Sequence, residues 1–397
     1  MSRQAIGRLA ALAEEPQRTI LGLMSGTSLD GLDLALCRLE GSGCDTRFSL
    51  ERFHTIPYTE AYRRRVLDVF AQDRIDTLDL VLLNAIIGRT HARMILDTLD
   101  GWEVDPSSVD LVASHGQTVF HAPRSLHGRG DAPNATLQLG DGDHIAQLTG
   151  IITASDFRQK HIAAGGEGAP LAAYGDVLLM TDARAPRILL NVGGIANFTY
   201  LPPRGAQEKA FSTDIGPGNT MMDAYMRAYH PPATYDRDAE LARQGTAHPG
   251  LLAALLDDPF LKAPFPKTTG PEHFSLERFE TLRQQVDRDI GHADAMATLN
   301  RFSAEAVAEA VGRLPGQPDI FLSGGGARNP LLREQIMSRL PGHRIDDTRA
   351  LGIDPDAKEA ILFAVLANEL VAGEPGVFER ILDNAPSVSM GKISLPD

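Results

Sequence analysis

The sequence predicts an α/β protein built from two related halves. Its 397 residues exceed what one core of about 100–200 residues accommodates, so two domains are expected. Short apolar runs alternate with longer stretches of helical period, the pattern of α/β proteins. A strand–glycine–strand theme appears near Gly22 and returns near Gly193. Such a theme reads as a hairpin, and its repetition predicts two halves whose hairpins face a shared cleft.

The elements follow in order. Met1–Thr19 reads as a short amphipathic helix; without a clean apolar core it is not read as a signal peptide. Thr19–Ser25 and Gly31–Glu40 read as strands around Gly26–Asp30. Helical stretches follow at Thr59–Ala71 and Leu78–Leu99, then a short buried strand, Leu111–Ser114, ending at His115–Thr118. Thr136–Gly140 and Ile151–Asp156 read as strands with a helical His144–Thr149 between them. Ala163–Pro170 is too rich in glycine for regular structure. The hairpin theme returns in Ile188–Val192 and Ile195–Leu201. Phe211–Asn219 is a strand running into a loop, Thr220–Tyr229 a helix, and residues 231–280 are loop-rich. Helices are expected at Leu299–Leu314, Asn329–Arg339 and Ala357–Val371, with a strand at Asp319–Ser323. The boundary between halves is placed at 150/151, within a window of 135–190, and the last helix is free to pack back on the N-terminal half.

Composition narrows the function. A formal net charge of −14 argues against nucleic acid as a partner, since phosphate-backbone binding asks for a basic surface. The two cysteines, Cys37 and Cys44, form neither a CxxC pair nor a Cys/His cluster, so a thiolate zinc site and a disulfide framework are not expected. No apolar run approaches the roughly 20 residues of a membrane helix. A cytoplasmic protein with no membrane partner is expected.

Three glycine-rich segments could carry chemistry. In Gly22–Asp33, a turn of small residues between strands exposes backbone N–H groups that can nest an anion. Thr27 and Ser28 could add hydroxyl donors, and Asp30 could face a metal. A tight hairpin satisfying its own geometry is the competing reading. In Ser323–Asn329, a strand runs into Gly324, Gly325 and Gly326 and then a helix, placing bare backbone where phosphate or adenosine can approach. The alternative is a glycine-rich cap. In Asp214–Asn219, a carboxylate leaves a strand into an open loop. That suits a general base in phosphoryl transfer, which asks for an oriented nucleophile and donors on the phosphate oxygens. Asp214 could equally cap the following turn. Asp156 and Arg158, two apart in an expected strand, would share a face and form an ion pair or grip a sugar. His115 and Gln117, at a strand end, are further sugar contacts or structural residues. Pro266–Gly270 has anion-binding capacity, with a solvated turn as the default.

Taken together and in order, these motifs resemble the anhydro-N-acetylmuramic acid kinase family. The matching pieces are Gly22-Leu-Met-Ser-Gly-Thr-Ser-Leu-Asp-Gly31, Ser114–Thr118, Asp156–Arg158, Gly165–Leu171, Asn191–Asn197, Asp214–Asn219 and Gly324–Asn329, spanning about residues 20–370. The resemblance implies a two-lobed actin/hexokinase-like (ribonuclease H-like) fold with ATP in an interdomain cleft. It implies that ATP and water open the 1,6-anhydro bridge of the sugar while O6 is phosphorylated, giving N-acetylmuramic acid 6-phosphate in cell-wall sugar recycling. On this resemblance Asp214 is the base. Gly26, Thr27, Ser28 and Asp30 lie by the ATP phosphates and Mg²⁺, with Asp30 on the metal. Gly193 and Gly194 form the second phosphate hairpin, and Gly324–Gly326 back the adenosine. His115, Gln117, Asp156, Arg158 and Glu167 lie by the sugar. ATP, Mg²⁺ and an anhydro-sugar are the implied partners, and a homodimer is the candidate assembly. The chain departs from the family at His161, where many members carry Asp, at Glu167, where they carry Gln, and at Ala357 and Lys358. A levoglucosan-type kinase, or a non-catalytic nucleotide or sugar sensor on the same fold, is the alternative these departures keep open.

Overall fold

The computed structural model describes residues 3–72 and 74–397. Twelve strands are numbered in chain order: β1 (Gln17–Ser25), β2 (Gly31–Glu40), β3 (Arg47–Pro57), β4 (Leu111–Ala122), β5 (Ala135–Leu139), β6 (Thr153–Ser155), β7 (Arg187–Val192), β8 (Ile195–Leu201), β9 (Phe211–Pro217), β10 (Asp319–Ser323), β11 (Ile345–Asp347) and β12 (Lys392–Ser394). They form two sheets in two compact units, one of residues 1–179 with 356–397 and the other of residues 180–355. The expected boundary at 150/151 therefore moves. It falls between helix Gly142–Thr149 and β6, and β6 is bonded into the first sheet between β4 and β12. The late helix Lys358–Ala372 belongs to the first unit, where it lies on β1.

Both sheets follow one plan. In the first, β1, β2 and β3 form an antiparallel meander, and β4 and then β6 add in parallel on the free side of β1. In the second, β7, β8 and β9 form the meander, and β10 and β11 add in parallel beside β7. The spatial order is meander strand three, two, one, then the two parallel strands, in each unit. β5 and β12 are additions to the first sheet. This duplication is what the two hairpin themes predicted, and it accords with the actin/hexokinase-like fold that the family resemblance implied.

Each unit has its own apolar core. Leu21, Leu23, Leu34, Ile87, Ile95 and Val112 are buried in the first, and Ile188, Leu190, Phe198, Tyr225, Phe302 and Ile320 in the second. At Gly22 a helix lies directly against a strand. A β-carbon there would stand 2.0 Å from the Ala360 carbonyl oxygen, so only glycine lets helix Lys358–Ala372 lie on β1. Among the described residues no helix is long and apolar enough to cross a membrane.

Three sequence expectations change. β3 was not anticipated. Its residues alternate between exposed and half-buried without a clear apolar face, and it forms because β2 offers an open edge. The loop-rich stretch after Pro231 contains helices Pro249–Leu256, Pro259–Lys262 and Leu276–Val286, capped by His248, Asp258 and Ser275. Finally, Asp156 and Arg158 do not share a strand. Asp156 takes a left-handed conformation (φ 53°, ψ 49°) that ends β6, and Arg158 lies in helix Phe157–Ala163.

Candidate active site

In the first unit the β1–β2 turn is Gly26–Asp30. Leu29 has φ 56°, and its N–H donates to the Gly26 carbonyl at 3.4 Å. Asp30 Oδ1 accepts from Ser28 Oγ at 2.8 Å and from the Gly31 N–H at 3.0 Å. Thr27, Ser28 and Asp30 are exposed. Asp33, three residues on, accepts from Thr55 Oγ1 at 2.6 Å. Its carboxyl is held above the usual range, first by burial and then by the negative charges of Asp30 and Asp356. Glu359 is raised by its crowded surroundings and by Asp33, opposed by Lys358 and Arg158. Among the described residues no group of three His, Cys, Asp or Glu could hold a metal alone.

The expected sugar contacts lie in the same unit and divide into three kinds. Arg158 is held, its Nε donating to His115 Nε2 at 3.1 Å and its Nη1 to the Gly168 carbonyl at 2.6 Å. His115 is buried, its ring tilted against that of Phe363. Burial, and then the Arg158 charge, pushes its pKa down to about 3, so it is neutral. Gln117 is fully buried; its amide accepts from Ser25 Oγ and donates to the Gly26 carbonyl at 3.2 Å. Its side chain serves the β1–β2 turn instead of reaching outward. Asp156 pairs with Lys392. Glu167 is exposed at the tip of the glycine loop.

His161 has a structural task. Its Nδ1 accepts from the Gly168 N–H at 3.0 Å and its Nε2 meets Tyr174 Oη at 2.8 Å. A β-carbon on Gly166 would stand 2.1 Å from its ring. The histidine thus shapes the loop whose Gly168 carbonyl holds Arg158.

In the second unit Asp214 sits on β9, opposite Asn197 of β8. It is half-buried, and its Oδ2 accepts from the Thr269 N–H at 2.9 Å. The carboxyl is raised above its ordinary value by burial, opposed by that amide. It does not cap the following turn; it is held by residues 267–269. That loop is anchored by Lys267, which donates to the carbonyls of Phe260 (2.6 Å) and Leu261 (2.8 Å). Burial, and then Arg313, lowers the Lys267 pKa to about 8. This ammonium is therefore tied inward, and the expected anion-binding loop instead orients Asp214.

Beyond Asp214, β9 runs into the β7–β8 turn. The Gly218 and Thr220 N–H groups donate to the Gly194 carbonyl at 2.9 and 3.1 Å, and the Asn219 N–H to the Gly193 carbonyl at 2.8 Å. The third glycine segment joins them. A β-carbon on Gly324 would meet Asn191 Oδ1 at 2.5 Å, and one on Gly326 would meet Val192 at 2.4 Å. The hairpin, the Asp214 strand and the glycine turn are thus one assembly within this unit.

The glycines of these segments divide sharply. Gly31, Gly194, Gly218, Gly324 and Gly326 admit no β-carbon without a contact below 3.0 Å to the protein itself. Gly26, Gly193 and Gly325 do: the nearest atoms would stand at 3.5, 3.5 and 3.7 Å, an ordinary separation. Packing does not itself demand glycine at these three, Gly26 in the β1–β2 turn, Gly193 in the β7–β8 turn and Gly325 in the third glycine segment.

Sequence reasoning did not single out Tyr58, His91, Asn191, Asn219 or Thr269 as site residues. Asn191, Asn219 and Thr269 lay inside segments already quoted, a usable signal; Tyr58 and His91 act through contacts distant in sequence.

A family model described as anhydro-N-acetylmuramic acid kinase matches residues 18–395. A protein of that name from Pseudoalteromonas atlantica is 49% identical over 397 residues, covering 99% of each chain. Its counterpart from Pseudoalteromonas translucida is 46% identical with the same coverage. One from Caldanaerobacter subterraneus subsp. tengcongensis is 35% identical over 98% of this chain and all of its own. With the seven ordered motifs and the duplicated sheet plan, these matches establish that the chain belongs to the anhydro-N-acetylmuramic acid kinase family.

Proposed function

We propose that this protein is an ATP-dependent sugar kinase that opens the 1,6-anhydro ring of 1,6-anhydro-N-acetylmuramic acid and phosphorylates O6. The observation that carries the chemistry is Asp214. Its carboxylate is half-buried, raised in pKa and held by one backbone N–H, on a strand that runs straight into the second phosphate hairpin. A raised carboxylate is a stronger base, and one firm hydrogen bond orients it without neutralising it.

Asp214 takes a proton from water as the water oxygen bonds the anomeric carbon. The bond from that carbon to O6 breaks, O6 bonds the γ-phosphorus, and ADP leaves. Gly26, Thr27, Ser28, Gly193 and Gly194 offer backbone and hydroxyl donors to the phosphates. Gly324–Gly326 back the adenosine. Arg158 and Glu167 serve the sugar, with His115 and Gly168 aiming Arg158. Asp156, paired with Lys392, borders this region.

The acidic oxygens near the first hairpin fit Mg²⁺, a hard cation that keeps waters and phosphate oxygens and takes one or two carboxylates. Asp30, exposed in the β1–β2 turn, would hold it, and the ion would neutralise charge on the phosphates. The product, N-acetylmuramic acid 6-phosphate, suits a role in cell-wall sugar recycling. His161 has a complete account in shaping the glycine loop, so its departure from the family pattern does not argue for another sugar.

The test is ADP release with a panel of anhydro-sugars, with and without the N-acetyl and lactyl groups. Turnover should be greatest with the muramic sugar and vanish in Asp214→Asn while nucleotide binding survives. Near-normal turnover in that variant would overturn the assigned base.

A further inference from the structure

Behind the β1–β2 turn lies a chain of buried polar groups that the reaction does not itself use. His91 Nε2 meets Tyr58 Oη at 2.9 Å; Tyr58 Oη donates to Ser25 Oγ at 2.8 Å; Ser25 Oγ donates to Gln117 Oε1 at 2.5 Å; and Gln117 Nε2 donates to the Gly26 carbonyl at 3.2 Å. His91 and Gln117 have no exposed surface, and Ser25 and Tyr58 are buried. The four residues come from helix Thr77–Gly101, the segment after β3, the end of β1 and the middle of β4.

The direction of every hydrogen in this chain can be deduced from its end. Gln117 Nε2 faces two carbonyls, of Gly26 and of Thr118 (3.3 Å), so it must be the amino side and Oε1 the acceptor. Ser25 therefore spends its hydrogen on Gln117 and must accept from Tyr58. Tyr58 then has no hydrogen left and accepts from His91 Nε2, which also meets Tyr62 Oη at the longer 3.4 Å; the network thus assigns the His91 proton to Nε2. Burial pushes the His91 pKa down to about 4, in keeping with a neutral ring. All four donors point one way, toward the carbonyl of Gly26.

That carbonyl belongs to the peptide joining Gly26 to Thr27, which is not among the cis bonds of the chain. In a trans peptide the N–H points opposite to the C=O. With the carbonyl turned toward buried Gln117, the Thr27 N–H is turned away from the buried chain, at a residue that is itself exposed.

We infer that Gln117 is a positioning residue at the end of a one-way hydrogen-bond relay, His91–Tyr58–Ser25–Gln117, that sets the Gly26–Thr27 peptide so that the Thr27 N–H meets the ATP phosphates. This rests on the reading of the β1–β2 turn as a phosphate site. A preset donor costs no reorganisation when the anion arrives, so loss of the relay weakens nucleotide binding and leaves sugar binding alone.

The experiment compares wild type with Gln117→Met, Tyr58→Phe and the double variant. Affinity for a non-hydrolysable ATP analogue is read by calorimetry, alongside KM for ATP and for the sugar, with melting temperature to confirm folding. Ser25→Ala replaces any variant that does not fold. Nucleotide affinity should fall about tenfold in Gln117→Met and about threefold in Tyr58→Phe. The double variant should resemble Gln117→Met alone, because both act through one peptide although Tyr58 and Gln117 are joined only through Ser25. Unchanged nucleotide affinity, multiplying effects, or an equal rise in both KM values overturns the relay. Wild type that binds nucleotide but turns over no anhydro-sugar would refute the kinase reading, while the binding series still judges the relay.

Discussion

The division among the glycines makes a strong prediction, best posed as Gly325→Ala against Gly324→Ala. The two positions are neighbours, so local sequence and solvent are nearly matched. At Gly325 a methyl group finds its nearest neighbour, Asn219 Nδ2, at 3.7 Å, and φ is not positive. Folding should tolerate it and could gain about 0.4–1 kcal/mol, because alanine restricts the unfolded chain. At Gly324, φ is +83° and the methyl would lie 2.5 Å from Asn191 Oδ1 and 2.8 Å from the Val192 carbonyl. At φ 83° and ψ 171° the backbone lies where essentially only glycine goes, which alone costs another residue roughly 1–3 kcal/mol, and the clash adds to it. Denaturant melts should show Gly325→Ala at or above wild type and Gly324→Ala at least about 2 kcal/mol below it. Calorimetry with an ATP analogue should show the reverse concern. Folded Gly325→Ala should bind at least about tenfold more weakly, about 1.4 kcal/mol, because its methyl stands where the ligand approaches. Wild-type nucleotide affinity in Gly325→Ala would refute the argument that this glycine is kept for a ligand. Equal destabilisation of both variants would refute the distinction itself.

Other consequences are open to direct measurement. Burial raises the Asp214 pKa, so the base loses its active, ionised form as pH falls through a value above that of an ordinary aspartate; the acid limb of kcat should lie correspondingly high, and a limb at or below pH 4 would exclude Asp214 as the titrating group. The same shift means that the ionised carboxylate is disfavoured by folding, with any stabilisation from this group present at low pH and lost as pH rises through the raised pKa; Asp214→Asn should therefore melt no lower than wild type at neutral pH. In Asp30→Asn the Mg²⁺ concentration for half-maximal rate should rise several-fold, which a metal titration at saturating ATP reads. His161→Ala strips the Gly168 N–H and Tyr174 of their partner; stability should fall by about 1–3 kcal/mol, KM for the sugar should rise, and nucleotide affinity should hold, whereas unchanged sugar KM would detach the glycine loop from substrate binding.

Much of this protein was determined by its sequence alone. Both hairpin turns, the strands flanking them and the helices Thr220–Tyr229, Pro330–Arg339 and Lys358–Ala372 stand close to where periodicity and glycine placed them, because these signals act over a few residues. The ordered motifs were enough to identify the family. Other features depended on contacts that no local pattern carries. β3 exists because β2 has an edge to fill. Arg158 aims at His115, 43 residues away in the chain, because left-handed Asp156 turns a strand into a helix between them. Gln117, expected beside the sugar, is folded under the first hairpin by Ser25 and Gly26. Glycine itself reads the same at Gly324 and Gly325; only the packing of Asn191 and Val192 against one of them reveals which serves the fold. Short-range preference set the elements and their order, while the burial of specific polar atoms, decided when distant segments meet, assigned each residue its task.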